Sequence, residues 1–119
     1  SRDWSSDVCS SDLVPELAGD GPWFQWHADR FTVPADSVRL ARSDRAEQAF
    51  RLGRSVGVQF HPEVNESIVA RWSAGGADEL VRLGLDPAAL VEQTRAEVRR
   101  SRKAAARLVE WFLRETAAS

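Results

Sequence analysis

The spacing of apolar positions changes once along the chain, at Pro62. Before it they come in short runs such as WFQW and SVGVQF, separated by Gly, Pro, Asp and Ser; after it they recur three and four residues apart. Short apolar runs between turn residues suit strands, whereas the longer spacing keeps one face of a helix apolar. Val14 to Gly21, VPELAGDG, is loop by its proline and glycines. The pattern then predicts a strand from Trp23 ending near His27, another over Val38 to Ala41 and a third over Gln48 to Leu52. The last two are expected to form a hairpin through Ser43, Asp44 and Arg45. Ser55 to Phe60, stopped by Pro62, reads as a central strand buried on both faces.

Beyond Pro62, Ile68, Val69 and Trp72 form a short helical stripe that stops at Gly75 and Gly76. Ala77 to Leu83 follows as a second short helix ended by Gly84. Asp86 caps, and Pro87 opens, a long helix reaching about Glu115, since a first-turn proline lacks only an N–H that would be unpaired anyway. Val91, Thr94, Val98, Ser101, Ala105, Leu108 and Phe112 share one face of it. The small residues in the middle of that face leave two alternatives, close helix packing or a break near Ser101. Strands followed by helices, without repeats, fit part of a three-layer α/β domain better than a complete one.

At 119 residues the chain holds one domain at most. Within it, residues 14–75 carry the sheet and 76–119 the C-terminal helices. Residues 1–13, SRDWSSDVCSSDL, are dense in Ser and Asp and are expected to be disordered or loosely attached. They also resemble a translated sequencing-adapter read-through, which would mean that the gene was cut here.

Composition narrows the function classes. No apolar run nears the roughly 20 residues of a membrane helix, and a net charge of −2 gives no general pull toward nucleic acid. Without an apolar leader the cytoplasm is the expected location. The single cysteine, Cys9, excludes an internal disulfide framework. Arg95, Arg99, Arg100, Arg102, Lys103 and Arg107 form the most basic stretch, but Glu92, Glu97 and Glu110 lie three or four positions from arginines. A solvated face laced by weak ion pairs is the expectation, with no nucleic-acid or membrane partner. Metal-ligand clusters and phosphate-binding glycine motifs are lacking, so no metal or cofactor is expected.

The chemistry concentrates in GVQFHPE, Gly57 to Glu63. If the strand stays extended to its end, His61 and Glu63 project to the same side, because side chains alternate with a period of two. The carboxylate can then hold one imidazole nitrogen, leaving the other to take a proton from a thiol. GVQFHPE resembles the active-site motif of class I glutamine amidotransferases. The likeness runs from about Trp23 to Trp72 through WHAD, Val33–Pro34, VRLARS, EQAF and the motif itself.

That resemblance implies the C-terminal part of a flavodoxin-like three-layer domain, with His61 as general base and Glu63 as its orienting partner. It also implies hydrolysis of the glutamine side-chain amide through a cysteinyl thioester, with ammonia passed to a synthase domain or subunit. His27, Ala28 and Asp29 match the segment whose backbone lines the glutamine pocket, although many relatives have Ser and Gly where Trp26 and Ala28 stand. The chain departs from the family in its cysteine: Cys9 has no flanking glycines and lacks the G-x-C-x-G elbow. Two other readings stay open, a non-catalytic interaction module of the same fold and a γ-glutamyl hydrolase or peptidase relative.

Overall fold

Extended and helical segments divide at Pro62, as the apolar spacing requires. The computed structural model describes residues 2–5, 9–10, 20–27, 29–43 and 46–117. Among the described residues six strands come first: β1 (Arg2–Ser5), β2 (Cys9–Ser10), β3 (Trp23–Trp26), β4 (Val38–Arg42), β5 (Glu47–Leu52) and β6 (Ser55–Val58). Three helices follow: α1 (Glu66–Gly75), α2 (Ala77–Arg82) and α3 (Pro87–Ala117). β1 pairs with β3, and the other four strands form a sheet in the order β2-β4-β5-β6, with every ladder antiparallel. The expected hairpin is β4–β5, although Asp44 and Arg45 of its turn lie outside the described residues.

The strand before the motif differs from its expectation. β6 ends at Val58 and forms an edge of its sheet, with Ser55 exposed, instead of a central strand buried on both faces. It still packs closely on its one neighbour, because a Cβ at Gly57 would stand 2.5 Å from the Phe50 ring. The chain then leaves β5 and crosses to β3. Gln59 N–H donates to the Gln48 carbonyl at 2.7 Å and His61 N–H to the Phe24 carbonyl at 2.8 Å. This crossing ties the two sheets together and sets where His61 stands.

The helix boundaries follow from local chemistry. The Asn65 side chain accepts from Ile68 N–H at 2.9 Å and caps α1, and Asp86 caps α3 through Ala88 N–H at 3.1 Å. Gly84, at φ +77°, ends α2: its N–H reaches the Val81 carbonyl while Leu85 N–H reaches that of Leu80, the paired bonds of a glycine-dependent C-terminal cap.

α3 is one uninterrupted helix of 31 residues and joins all three apolar clusters. Leu90 packs with Trp4, Phe24, Val64 and Val69; Ala104 with Trp23 and Phe60; Trp111 with Leu40, Ala41 and Ala49. Its buried line is therefore Leu90, Thr94, Ser101, Ala104 and Trp111. Val91, Val98, Ala105, Leu108 and Phe112 flank that line half-buried, so the face keeps Thr94 and Ser101 but is turned by roughly half a residue from the expected one. The rotation brings the large Trp111 inward and places the small Ala104, fully buried, against two aromatic rings. Close packing, not a break, explains the small residues near Ser101.

Part of the N-terminal segment also departs from expectation, while residues 1, 6–8 and 11–13 lie outside the described residues. Arg2–Ser5 is paired in register along all of β3. Trp4 is only 7% exposed, stacks edge-on against Phe24 at 5.5 Å between centroids, and donates its indole N–H to Thr94 Oγ1 at 3.0 Å. Serine and aspartate content argued for disorder, but one tryptophan with an apolar socket and a buried acceptor outweighs it locally.

The arginines of α3 do more than solvate a face. Arg95 joins Glu66 and Glu92, while Arg100 donates to Glu97 and to the backbone carbonyls of Asp20 and Pro22. Arg107 pairs with the Asp20 carboxylate at 2.9 Å. Arg51 and Arg54 reach the carbonyls of Glu115 and Thr116, tying the helix end to the β5–β6 turn where the helix dipole favours cations.

Candidate functional site

Trp26, at the end of β3, and His61, at the end of the crossing, meet at the mouth of the junction between the sheets. His61 Nδ1 lies 3.1 Å from Glu63 Oε2, so the pair expected from the i, i+2 spacing is formed. Nε2 lies 3.1 Å from the Trp26 carbonyl oxygen. Both partners are acceptors. Both contacts are hydrogen bonds only when both ring nitrogens carry a proton, the form in which imidazole donates twice. The ring is held from the side by Trp72 of α1, edge-on at 5.0 Å, and its side chain is 30% exposed while that of Glu63 is 53% exposed.

An aromatic wall stands behind this pair. Trp26, Trp72 and Phe24 contact one another at centroid separations between 5.9 and 6.3 Å. The Arg2 guanidinium lies 4.9 Å over the Trp26 ring and 3.6 Å from the Glu79 carboxylate of α2. Trp23 faces away from the site and stacks on Phe60 at 4.5 Å. On the side of Glu63 an open groove of about 520 Å³ runs between Pro62–Ser67 and Val98, Arg102 and Ala105 of α3.

His27 and Asp29, expected at a substrate pocket, lie one residue and three residues beyond Trp26; Ala28 falls outside the described residues. The Asp29 backbone carbonyl receives Gln59 Nε2 at 3.0 Å and faces His27 Nδ1 at 2.8 Å. On the other side, His27 Nε2 lies 3.1 Å from Gln25 Oε1. Burial lowers the His27 pKa from its ordinary 6.5; the bond at Asp29 opposes this, and the neighbouring Arg2 and His61 add to the lowering.

Sequence reasoning passed over the roles of Gln25, Gln48 and the Trp26 carbonyl. Both glutamines are 2% exposed and are bonded to each other, Gln25 Nε2 to Gln48 Oε1, at 3.0 Å. A glutamine inside an apolar run was the available signal, because a buried amide needs a partner. Cys9 lies opposite Arg42 on β4, at the far edge of the four-stranded sheet. β4 and β5 separate it from Gln59, an offset on the order of 14 Å at about 4.8 Å per strand.

Solved structures similar to this chain include two glutamine amidotransferases. A glutamine amidotransferase from Thermotoga maritima superposes with a TM-score of 0.74 at 31% identity, covering 88% of this chain and 47% of that one. A glutamine amidotransferase from Methylobacillus flagellatus gives a TM-score of 0.54 at 25% identity, over 74% of this chain and 41% of that one. The chain thus spans under half the length of either relative. No family model matches it, and no curated protein does.

Proposed function

We propose that this chain, which is similar to two glutamine amidotransferases, is the C-terminal part of a class I member of that family, carries the base and the orienting carboxylate of a glutamine-hydrolysing site and depends on a separate segment for the nucleophile. The observation that carries this reading is the His61–Glu63 hydrogen bond, just beyond β6 and within the family's motif. Glu63 fixes the ring through Nδ1, which directs Nε2 to the opposite side, where a thiol proton would be taken up.

In the reaction, a thiolate adds to the side-chain amide carbon of glutamine and His61 gives a proton to the departing ammonia. A thioester remains. Water, deprotonated by His61, then releases glutamate and the thiol, so one water is consumed for each ammonia formed. The Trp26 carbonyl occupies the position at Nε2 that the sulfur would need, and it is displaced or shared when the nucleophile is present. Trp26, His27 and Asp29 form the substrate side of the site, mainly through backbone groups. The ammonia acceptor belongs to a domain or subunit beyond this chain.

Cys9 does not serve as nucleophile, because it lacks the elbow and sits about three strand spacings from the Gln59–His61 crossing. The test joins the chain to the N-terminal half of the Thermotoga maritima relative and measures glutamate release from glutamine. The fusion is expected to turn over. His61→Ala in it should lose about 10²-fold or more and Glu63→Gln less, since losing an orienting group costs less than losing the base. The unfused chain is expected to be inactive. Glutamate release by the unfused chain that persists in Cys9→Ser would overturn the assignment.

A further inference from the structure

Besides the His61 pair, the structure holds a second polar assembly, and it runs through the interior. From His27 Nε2 it passes to Gln25 Oε1 at 3.1 Å, from Gln25 Nε2 to Gln48 Oε1 at 3.0 Å, and from Gln48 Nε2 to Ser43 Oγ at 3.3 Å. Ser43 closes the β4–β5 turn: its hydroxyl donates to the Ala46 carbonyl and accepts from Ala46 N–H, each at 3.3 Å. The two amides are 2% exposed, so exchange with water cannot easily substitute for a lost partner.

The direction of donation along this chain is not free. With Gln25 Nε2 donating to Gln48, Gln25 presents its oxygen to His27, so Nε2 must carry a proton. His27 Nδ1, 2.8 Å from the Asp29 carbonyl, must carry one too. That order therefore belongs to the imidazolium. A neutral His27 that keeps its bond to Asp29 has a lone pair at Nε2 and needs a donor there. Both amides then turn over: Gln25 Nε2 donates to His27, Gln48 Nε2 to Gln25, and Ser43 Oγ–H to Gln48. In that order the Ser43 hydroxyl no longer donates to Ala46.

We propose that His27, Gln25, Gln48 and Ser43 form a positioning relay whose polarity is set by the proton on His27. It couples the Trp26–Asp29 side of the candidate site to the β4–β5 turn. Among the described residues, Arg2 from β1, His61 from the crossing and Asp29 through its carbonyl face His27. Burial, and after it the charge of Arg2, disfavours the imidazolium, which favours the reversed order as pH rises. Reversal moves no backbone. It withdraws the Ser43 hydroxyl from the Ala46 carbonyl, which keeps the Ser43 N–H at 2.9 Å, while the Asp29 carbonyl keeps His27 and Gln59 in both orders.

The experiment follows the isotope-labelled chain by NMR through a pH titration, reading the His27 ring nitrogens, the side-chain amides of Gln25 and Gln48, and the Ala46 backbone amide. All are expected to shift with one shared midpoint. In Gln25→Leu/Gln48→Leu, which removes both partners of the buried bond together and leaves neither amide orphaned, the Ala46 response at that midpoint should vanish while His27 still titrates. Ser43→Ala is the second variant, expected to abolish the Ala46 response and keep those of the two amides. Glutamine amides that stay still through the His27 midpoint, or an Ala46 response that survives in either variant, would overturn the relay. The readouts need neither glutamine nor an added cysteine, so they succeed or fail independently of the catalytic assignment.

Discussion

Replacing Trp4 by alanine tests whether the N-terminal strand belongs to the folded unit. Trp4 is 7% exposed within a cluster of Phe24, Val64, Val69 and Leu90, so truncation removes a large buried ring. Such losses cost about 3–5 kcal/mol, and this figure includes the edge-on contact with Phe24 and whatever cavity the site fails to close. Thr94 Oγ1 would also lose its donor, although it keeps its own bond to the Leu90 carbonyl at 2.9 Å. Trp4→Phe separates the two contributions. It retains ring packing and loses the indole N–H, at a cost of about 1–2 kcal/mol. The assay is urea unfolding followed by far-UV circular dichroism, in which a shifted midpoint with an unchanged slope reports stability alone. Against the roughly 5–15 kcal/mol of a typical domain, the alanine variant should be close to unfolding under mild conditions. A midpoint equal to that of the parent chain would refute the anchoring of β1, and with it the role of Arg2 beside Trp26.

Ser101→Ala is expected to stabilise the chain by about 1 kcal/mol, because the hydroxyl is fully buried with no hydrogen-bond partner among the described residues and alanine suits a helix better; loss of stability in thermal unfolding would show that the oxygen is bonded. His27 makes stability depend on pH in a definite direction. Its pKa is lower in the folded chain than the ordinary 6.5, so its contribution is present above 6.5 and is lost as pH falls through the folded value. Denaturant midpoints measured across that window should fall less steeply in His27→Gln, and an unchanged slope would exclude His27 as the source.

Much of this fold was legible along the chain because the signals were local. Gly84 and the cap Asp86 act on neighbouring backbone, and His61 and Glu63, two positions apart, meet across the turn at Pro62 although the strand expected to carry them ends at Val58. Family resemblance in GVQFHPE likewise rests on contiguous residues. Tertiary structure decided what depends on contacts across the chain. Only packing of Ala104 against Trp23 and Phe60, and of Trp111 against Leu40, Ala41 and Ala49, turned α3 so that these two, not Ala105 and Phe112, lead inward. Only the socket beside Phe24 and Thr94 gave Trp4 a partner 90 positions away, against a composition that argued for disorder. The crossing from β5 to β3 brought the Trp26 carbonyl to His61, and the approach of the two sheets joined Gln25 to Gln48. A periodic pattern identifies which face of an element is apolar, but the partner of a buried polar atom is set by the meeting of distant segments, which periodicity does not encode.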